Sequence, residues 1–440
     1  MTVPFGKEFR AKYFSKFDKD VVPVNHGSFG QTPDLIFDKY IEALTKDYAH
    51  ADKYLRFSIY DTYVGAIKEL ATLFNCDYHN LAIVENATTA VNIILRSFPL
   101  EKGDKIVVPS TVYGGCGNTV NFIENRLGIE KIMVELNYPL SDDEIIEKYE
   151  QIFKNQKPKL AMFDVISSLP GVRFPFERMV QLCKKYLVLS LVDGAHSAGL
   201  VPIDLDELKP DFFTSNLHKW LFVPRPSAVL YVDPKHHRKI HTIPISHSYV
   251  DDSQVLSPKQ EAETLIDRFV FVGSVNPAPI FTILDALKFR REICGGEEKI
   301  HDYCFDLAKK VGETISKKWN TSVLENDAGT LTNAMVNIEV PLEKAGVTLE
   351  QFDNDYDNIM QDSLRRLVFD YHTFITYFKH NNKIYVRFSC QIYNDLSDFE
   401  YASDVLLKVL KELVEREADS SVQMVPKLAK MTVSEKQTKN

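Results

Sequence analysis

The chain has no run of about 18 uncharged apolar residues, so nothing in it reads as a membrane-spanning helix. Its six cysteines, Cys76, Cys116, Cys183, Cys294, Cys304 and Cys390, are scattered, with no C-x-x-C pair and no zinc-ligand spacing. That excludes a readable disulfide framework or metal finger and leads us to expect reduced thiols in a cytoplasmic protein. Positive charge is also in short supply. Lys+Arg number 52 against 61 Asp+Glu, a net charge of −9, which argues against a phosphate-backbone surface and a nucleic-acid partner. The first residues, "MTVPFGKEFRAKYFSKFDKD", contain no apolar core of a signal peptide. Internal repeats and low-complexity blocks are missing too.

What is present is 440 residues with 45% hydrophobic content, enough for two or three domains and a large core without disulfides or metals. From Leu81 to Val232, short β-rich runs recur: "LAIV", "KIVVPS", "KIMVEL", "KLAMFDVI", "YLVLSLVD", "DFFTS" and "SAVLYV". Between them lie loops and amphipathic stretches such as "ERMVQLCKKY". This rhythm predicts an α/β fold with a mostly parallel sheet covered by helices on both faces. Chemistry in such sheets collects at the carboxyl ends of the strands. Residues before about 75 read as helical. The stretch after Pro279 is a long helical pattern, and about Lys299 to Glu415 reads as a smaller α+β domain with strands in "NAMVNIEV" and "KIYVRFSC". The expected division is an N-terminal arm 1–20, a large domain 21–285, a small domain 286–418 and a disordered tail 419–440.

Four features fall at strand ends. After "LAIV", the stretch "ENATTAVNIIL" places Asn86, Ala87, Thr88 and Thr89 at a helix start, where free N–H groups and hydroxyls could cradle a phosphate. A plain N-cap would look the same. After "KIVVPS", Tyr113 stands beside a glycine-rich turn, suited either to packing or to covering a flat ring. After "YLVLSLV", Asp193 ends an uncharged run, so its carboxylate needs a partner, and His196 follows three residues later. A metal pair is one reading, although no nearby residue completes a site; a protonated pyridine nitrogen is another partner for Asp193. Finally "TSNLHKW" places His218 and Lys219 after a strand, where a lone lysine is most often solvated. A phosphate cradle, a ring platform, a buried carboxylate and a lysine together are the parts of a pyridoxal phosphate site.

"VDGAHSAG" followed by "TSNLHKW" resembles the active-site pair of fold-type I pyridoxal phosphate enzymes in the class V aminotransferase family. The resemblance runs from about Val22 to the end of the small domain. It implies that Lys219 carries the cofactor, Asp193 binds the pyridine nitrogen, Tyr113 stacks on the ring and His196 lies near the phenolic oxygen. Ala87, Thr88, Ser215 and His218 would hold the phosphate. "VNHGSFGQTP", "HADKYLRFSIY", "FDVISSLPGVRFPFE" and "YVRFSCQIYNDLSDFEY" are similar to the isopenicillin N epimerase-like branch, near its fungal C–S lyases that act on hercynylcysteine sulfoxide. That branch implies Arg387 as the grip on a substrate carboxylate, which suits a guanidinium fork. Asn25 would line the mouth of the site, and Arg56 would reach the rest of the substrate unless it is a surface ion pair. In "FVGSVNPAP", Ser274 stands where relatives place a threonine that reaches a second subunit's phosphate, which implies a homodimer. Ser167 and Ser168 replace the usual asparagine or threonine, leaving Ser168 as the candidate near the cofactor oxygen.

The reading is therefore an enzyme on a small amino acid: a C–S β-lyase giving pyruvate and ammonia ahead of an epimerase, then a cysteine desulfurase or an aminotransferase. A catalytically dead relative acting as a binding protein is the alternative outside catalysis. Retention of Lys219, Asp193, His218 and Arg387 together argues against it.

Overall fold

A computed structural model describes residues 3–251, 253–354 and 356–419. Each of the seven apolar runs forms a strand: β1 Leu81–Val84, β2 Lys105–Pro109, β3 Glu130–Val134, β4 Leu160–Asp164, β5 Leu189–Asp193, β6 Phe212–Asn216 and β7 Ala228–Val232. They hydrogen-bond in the order β1-β7-β6-β5-β4-β2-β3. All neighbours from β3 to β6 are parallel, whereas β7 runs antiparallel to both β6 and β1. The reversal has a local cause. Only the four-residue helix Leu217–Trp220 and a turn separate β6 from β7, too little chain for the crossover a parallel strand requires. The chain thus doubles back at Lys219.

Strands β4, β6 and β7 are buried along their whole length, as a sheet covered on both faces demands. The covering helices follow from their sequences. Helix Asp142–Gln156 starts at a capping box formed by Ser141 and Glu144 and buries Ile145, Tyr149 and Phe153 at a spacing of four. Helix Phe176–Tyr186 buries Met179, Val180 and Cys183 and stops at Leu187, whose φ of 57° is left-handed.

A second sheet, entirely antiparallel, joins β8 Met335–Glu339, β9 Thr376–His380 and β10 Lys383–Ser389 in the order β8-β10-β9. The sequence pattern pointed to β8 and β10. It did not show β9, in which only Tyr377 and Phe378 are buried. Helices Glu297–Trp319 and Leu396–Asp419 pack together over this sheet, the first through Val311, Ile315 and Trp319 and the second through Phe399, Leu406 and Leu410. The N-terminal segment ties in by two bridges, Val22 to Thr373 and Asn25 to Ser389. Of the expected tail, all but Asp419 lies outside the described residues. Among the described residues no helix is long and apolar enough to cross a membrane.

Candidate active site

Asp193 is the last residue of β5 and is buried. Its Oδ1 accepts the Ala195 N–H at 2.9 Å, and its Oδ2 accepts the Cys116 thiol at 3.5 Å. No cation bonds to it directly. In register beside it, at the end of β4, lies a second buried carboxyl, Asp164. Burial and the neighbouring Asp193 push the Asp164 pKa well above its ordinary value, opposed by the charge of Lys219. Burial raises Asp193 as well, opposed by its bond from Ala195 and the charge of Lys219.

Lys219 sits at the sheet reversal. Its Nζ is 3.1 Å from His196 Nε2, and the indole N–H of Trp220 donates to His196 Nδ1 at 3.2 Å. Burial, then the charge of Arg387, pushes Lys219 down to about 8. The loop is clamped from the N-terminal segment. His26 Nε2 lies 2.7 Å from the Lys219 carbonyl and must donate to it, which leaves Nδ1 to accept the Tyr393 hydroxyl at 2.8 Å. Gly30 is required here. With φ of +69° a Cβ would stand 1.9 Å from the His218 carbonyl oxygen.

At the other end of the cleft, helix Ala87–Ser97 opens with Asn86 as its N-cap, accepting from the Thr89 N–H at 2.8 Å. The Ala87 N–H donates to Asn216 Oδ1 at 2.9 Å. Of the first three N–H groups, that of Thr88 is left for an outside acceptor. Tyr113 is close by and 48% exposed: a Cβ on Gly115 would meet Tyr113 Cε1 at 3.1 Å and Thr88 Cγ2 at 3.4 Å. His218 Nδ1 lies 2.8 Å from the Ser227 carbonyl, which leaves its Nε2 uncommitted.

One expected ligand is misplaced. The Ser215 hydroxyl donates to the Gly194 carbonyl at 2.5 Å and accepts the Ala198 N–H at 2.8 Å, with Ser197 Oγ at 3.1 Å. Its hydrogen-bonding capacity is spent bracing the loop after Asp193. Side chains alternate along a strand, so its neighbour Asn216 is the residue that meets the helix start. Asn216 was missed in sequence, although its spacing of three from Lys219 on a predicted strand end could have found it.

Arg387 lies in β10, every residue of which is buried except Lys383. Its Nη1 donates to the Ser168 carbonyl at 2.8 Å, and its Nη2 to Asn25 Oδ1 at 2.9 Å and Ser28 Oγ at 3.0 Å. Its Nε has no partner. Gly171 makes the passage possible, since a Cβ there would be 2.8 Å from Arg387 Cδ. No carboxylate balances the guanidinium, and burial pushes it down to about 10. Asn25 is held by donors from Ser28, Thr376 and Arg387. The Ser168 hydroxyl is uncommitted, while the Ser167 hydroxyl donates to the Pro170 carbonyl at 2.6 Å.

The site thus offers buried carboxyls at the ends of β4 and β5, a buried cation within β10, a depressed lysine just after β6 and an open helix start. The aminotransferase class-V family matches residues 30–401. The chain belongs to that family. This class V chain is 32% identical over 405 residues to hercynylcysteine sulfoxide lyase of Schizosaccharomyces pombe, covering 91% of this chain and 97% of the relative. An L-cysteine desulfhydrase-like protein of Epichloe uncinata is 30% identical, over 94% of this chain and 98% of its own. Isopenicillin N epimerase of Streptomyces clavuligerus is 25% identical, over 78% and 86%. Among solved structures, the complex of the cystine C–S lyase C-DES with cysteine persulfide superposes with a TM-score of 0.70 at 18% identity, over 88% of this chain and 98% of that one.

The cofactor of this class V enzyme is pyridoxal phosphate. The residues fit it. A helix start with an open N–H suits the phosphate, and a buried carboxylate without a cation suits a pyridinium nitrogen. A lysine with a depressed pKa lies beside that carboxylate.

Two expected residues lie on the exposed surface of the chain. Within one chain Arg56 bonds Asp52 at 2.9 Å one helical turn away, with 73% of its side chain exposed, which favours the surface ion pair. Ser274, expected to reach a second copy's phosphate rather than its own chain's, is exposed. Three residues that the sequence did not single out do belong: Asn216, Asp164 and Trp220.

Proposed function

We propose that this chain is a pyridoxal phosphate-dependent carbon–sulfur β-lyase acting on a cysteine conjugate or sulfoxide. The observation that carries the amino-acid reading is Arg387, a buried guanidinium with an open Nε and no carboxylate. A substrate carboxylate completes it. Sulfoxide lyase and desulfhydrase relatives support cleavage at sulfur. The thiols support it against a desulfurase, which needs an accessible cysteine nucleophile. Five of the six are buried and Cys76 is half-buried, and burial pushes Cys76, Cys294 and Cys304 up to about 12.

In this reading Lys219 binds the cofactor, Asp193 faces its pyridine nitrogen, and His196 and Ser168 lie on the phenolic side. Tyr113 covers the ring, and Ala87, Thr88, Asn216 and His218 hold the phosphate. When bound, pyridoxal phosphate supplies an electron sink for the bond broken at Cα. Arg387 fixes the substrate carboxylate, with Asn25 and Ser28 holding the guanidinium in place. Lys219 Nζ takes the Cα proton, and its lowered pKa gives it a neutral amine near pH 8 for that task. The sulfur group leaves from Cβ, and water converts the remainder to pyruvate and ammonia.

The exposed Ser274 is suited to a second copy's phosphate, so we assign a homodimer with shared sites. We also assign residues 21–285 and 286–418 to the large and small domains, and place the protein in the cytoplasm. The test is incubation with a panel of cysteine conjugates and sulfoxides. Pyruvate, ammonia and the sulfur fragment are expected in equal amounts. Inversion at Cα without pyruvate, or alanine with a persulfide, would replace the lyase by an epimerase or a desulfurase.

A further inference from the structure

Trp220 has no place in the chemistry just described, yet it is buried to 1% beside Lys219 and held on every side. Its carbonyl accepts Arg290 Nη1 at 2.7 Å. Its ring meets His26 edge-on, with centroids 4.9 Å apart. Gly27 is packed so closely that a Cβ there would be 3.3 Å from Trp220 Cζ2. The indole N–H cannot turn away, and it points at His196 Nδ1.

An indole nitrogen is a donor and never an acceptor. His196 Nδ1 must therefore be bare. An imidazolium would set two N–H groups against each other at 3.2 Å, so the ring is neutral and its single proton is on Nε2. That nitrogen stands 3.1 Å from Lys219 Nζ. An ammonium has no lone pair, so the contact exists only when the lysine is a free amine.

We propose that Trp220 is a positioning residue: by donating to His196 Nδ1 it confines the imidazole proton to Nε2, and the resulting N–H holds Lys219 as the neutral amine. The inference rests on Lys219 being the reactive lysine of the proposed function. Once Lys219 is engaged with the cofactor, the same Nε2–H is released for an acceptor such as the phenolic oxygen.

Burial, the largest cause for both groups, acts in the same direction. His196 is driven well below its ordinary value by burial, then by Lys219 and Arg387, with His26 and His218 adding to it. Lys219 is faced by Arg387, which favours the free amine, and by Asp193, Cys116 and Asp164, which oppose it.

Both claims can be read in the cofactor-free protein. Nitrogen-15 spectra of histidine-labelled apoprotein, with His196 assigned by its loss in His196→Asn, should show Nε2 protonated and Nδ1 bare. Trp220→Phe keeps an aromatic ring and deletes the donor. It should admit the Nδ1–H tautomer and raise the pH midpoint for trinitrobenzenesulfonate labelling of Lys219, located by peptide mapping. At pH 7 labelling should fall roughly three- to tenfold, the worth of one hydrogen bond. A role confined to packing would change the melting temperature and leave tautomer and midpoint alone. A wild-type proton on Nδ1 overturns the proposal even if Trp220→Phe does not fold, as does a folded variant with both readouts unchanged. Reduction with borohydride trapping the cofactor on another lysine would instead sink the functional reading, leaving the tautomer result standing.

Discussion

Among the described residues Arg290 and Arg387 are the arginines whose side chains are fully buried, and they sit in opposite conditions. Arg290 donates through Nε and Nη2 to Glu297 at 2.6 and 2.5 Å, and to the carbonyls of Trp220 and Gly199 at 2.7 Å each. Burial works against its charge, but the Glu297 carboxylate outweighs that and holds it above its ordinary value. Arg387 has neutral partners only, an open Nε and a pKa pushed down to about 10. A buried cation with every nitrogen bonded is architecture: Arg290 pins the loop after Lys219 to the loop after His196. A buried cation left unbalanced costs stability and persists for what it will bind. The same contrast separates Ser215, fully spent on the loop after Asp193, from Ser168, whose hydroxyl is open.

Breaking the reacting group itself should have the largest effect. Lys219→Ala is expected to abolish turnover while the fold, read by circular dichroism, persists. In the wild-type apoprotein the rate of cofactor capture by Lys219 should rise with pH through a midpoint near 8, because its pKa is lowered and the ammonium form below that pH is unreactive. A midpoint near the ordinary lysine value, read from the visible absorbance of the captured cofactor, would count against the buried site.

Arg387→Ala is expected to lower kcat/KM by roughly 10²- to 10³-fold, the scale of a lost charge-assisted contact to a buried carboxylate. Its visible spectrum should persist, since the arginine grips substrate in this reading. Its stability should change by no more than about 1 kcal/mol, because relief from burying an unbalanced charge offsets the lost bonds to Ser168, Asn25 and Ser28. Arg290→Ala tests the other side. Loss of the Glu297 pair and of two carbonyl partners should cost about 3 kcal/mol in denaturant unfolding, tempered by the exposure of Glu297. If the two variants were destabilised equally, the contrast between architecture and binding would collapse.

These arginines also show where sequence suffices. The run "YVRFS" announces a cation inside a buried strand, and all seven strands of the large sheet stand where their apolar runs put them. Strand direction is not written in composition. The reversal of β7 could have been inferred from the short connection after Lys219, but β9 gives too weak a pattern, with only two buried residues. The error at Ser215 is one of register: a single step along a strand exchanges the cradle face for the packed face. Arg290 with Glu297, and Trp220 with His196, are pairs made by tertiary packing, separated by 7 and 24 residues and marked by no motif.

The smallest effect is expected at Arg56, which separates a surface pair from a substrate contact. Its bond to Asp52 is exposed on both sides, so solvent screens the attraction and the long side chains lose entropy in making it. Arg56→Ala should leave kcat/KM within about twofold and leave the unfolding midpoint unchanged. The outcome bears on assembly as well, because the contacts within one chain say nothing of what a second copy brings near Arg56. A loss of kcat/KM well beyond twofold, with stability intact, would mean that Arg56 reaches a substrate bound in a neighbouring copy. Mixing inactive Lys219→Ala subunits with Arg56→Ala subunits then decides. If Arg56 serves the neighbouring site, one site of each mixed dimer would have both an intact lysine and an intact arginine, and activity would return. No recovery would assign that loss to the site of Arg56's own chain.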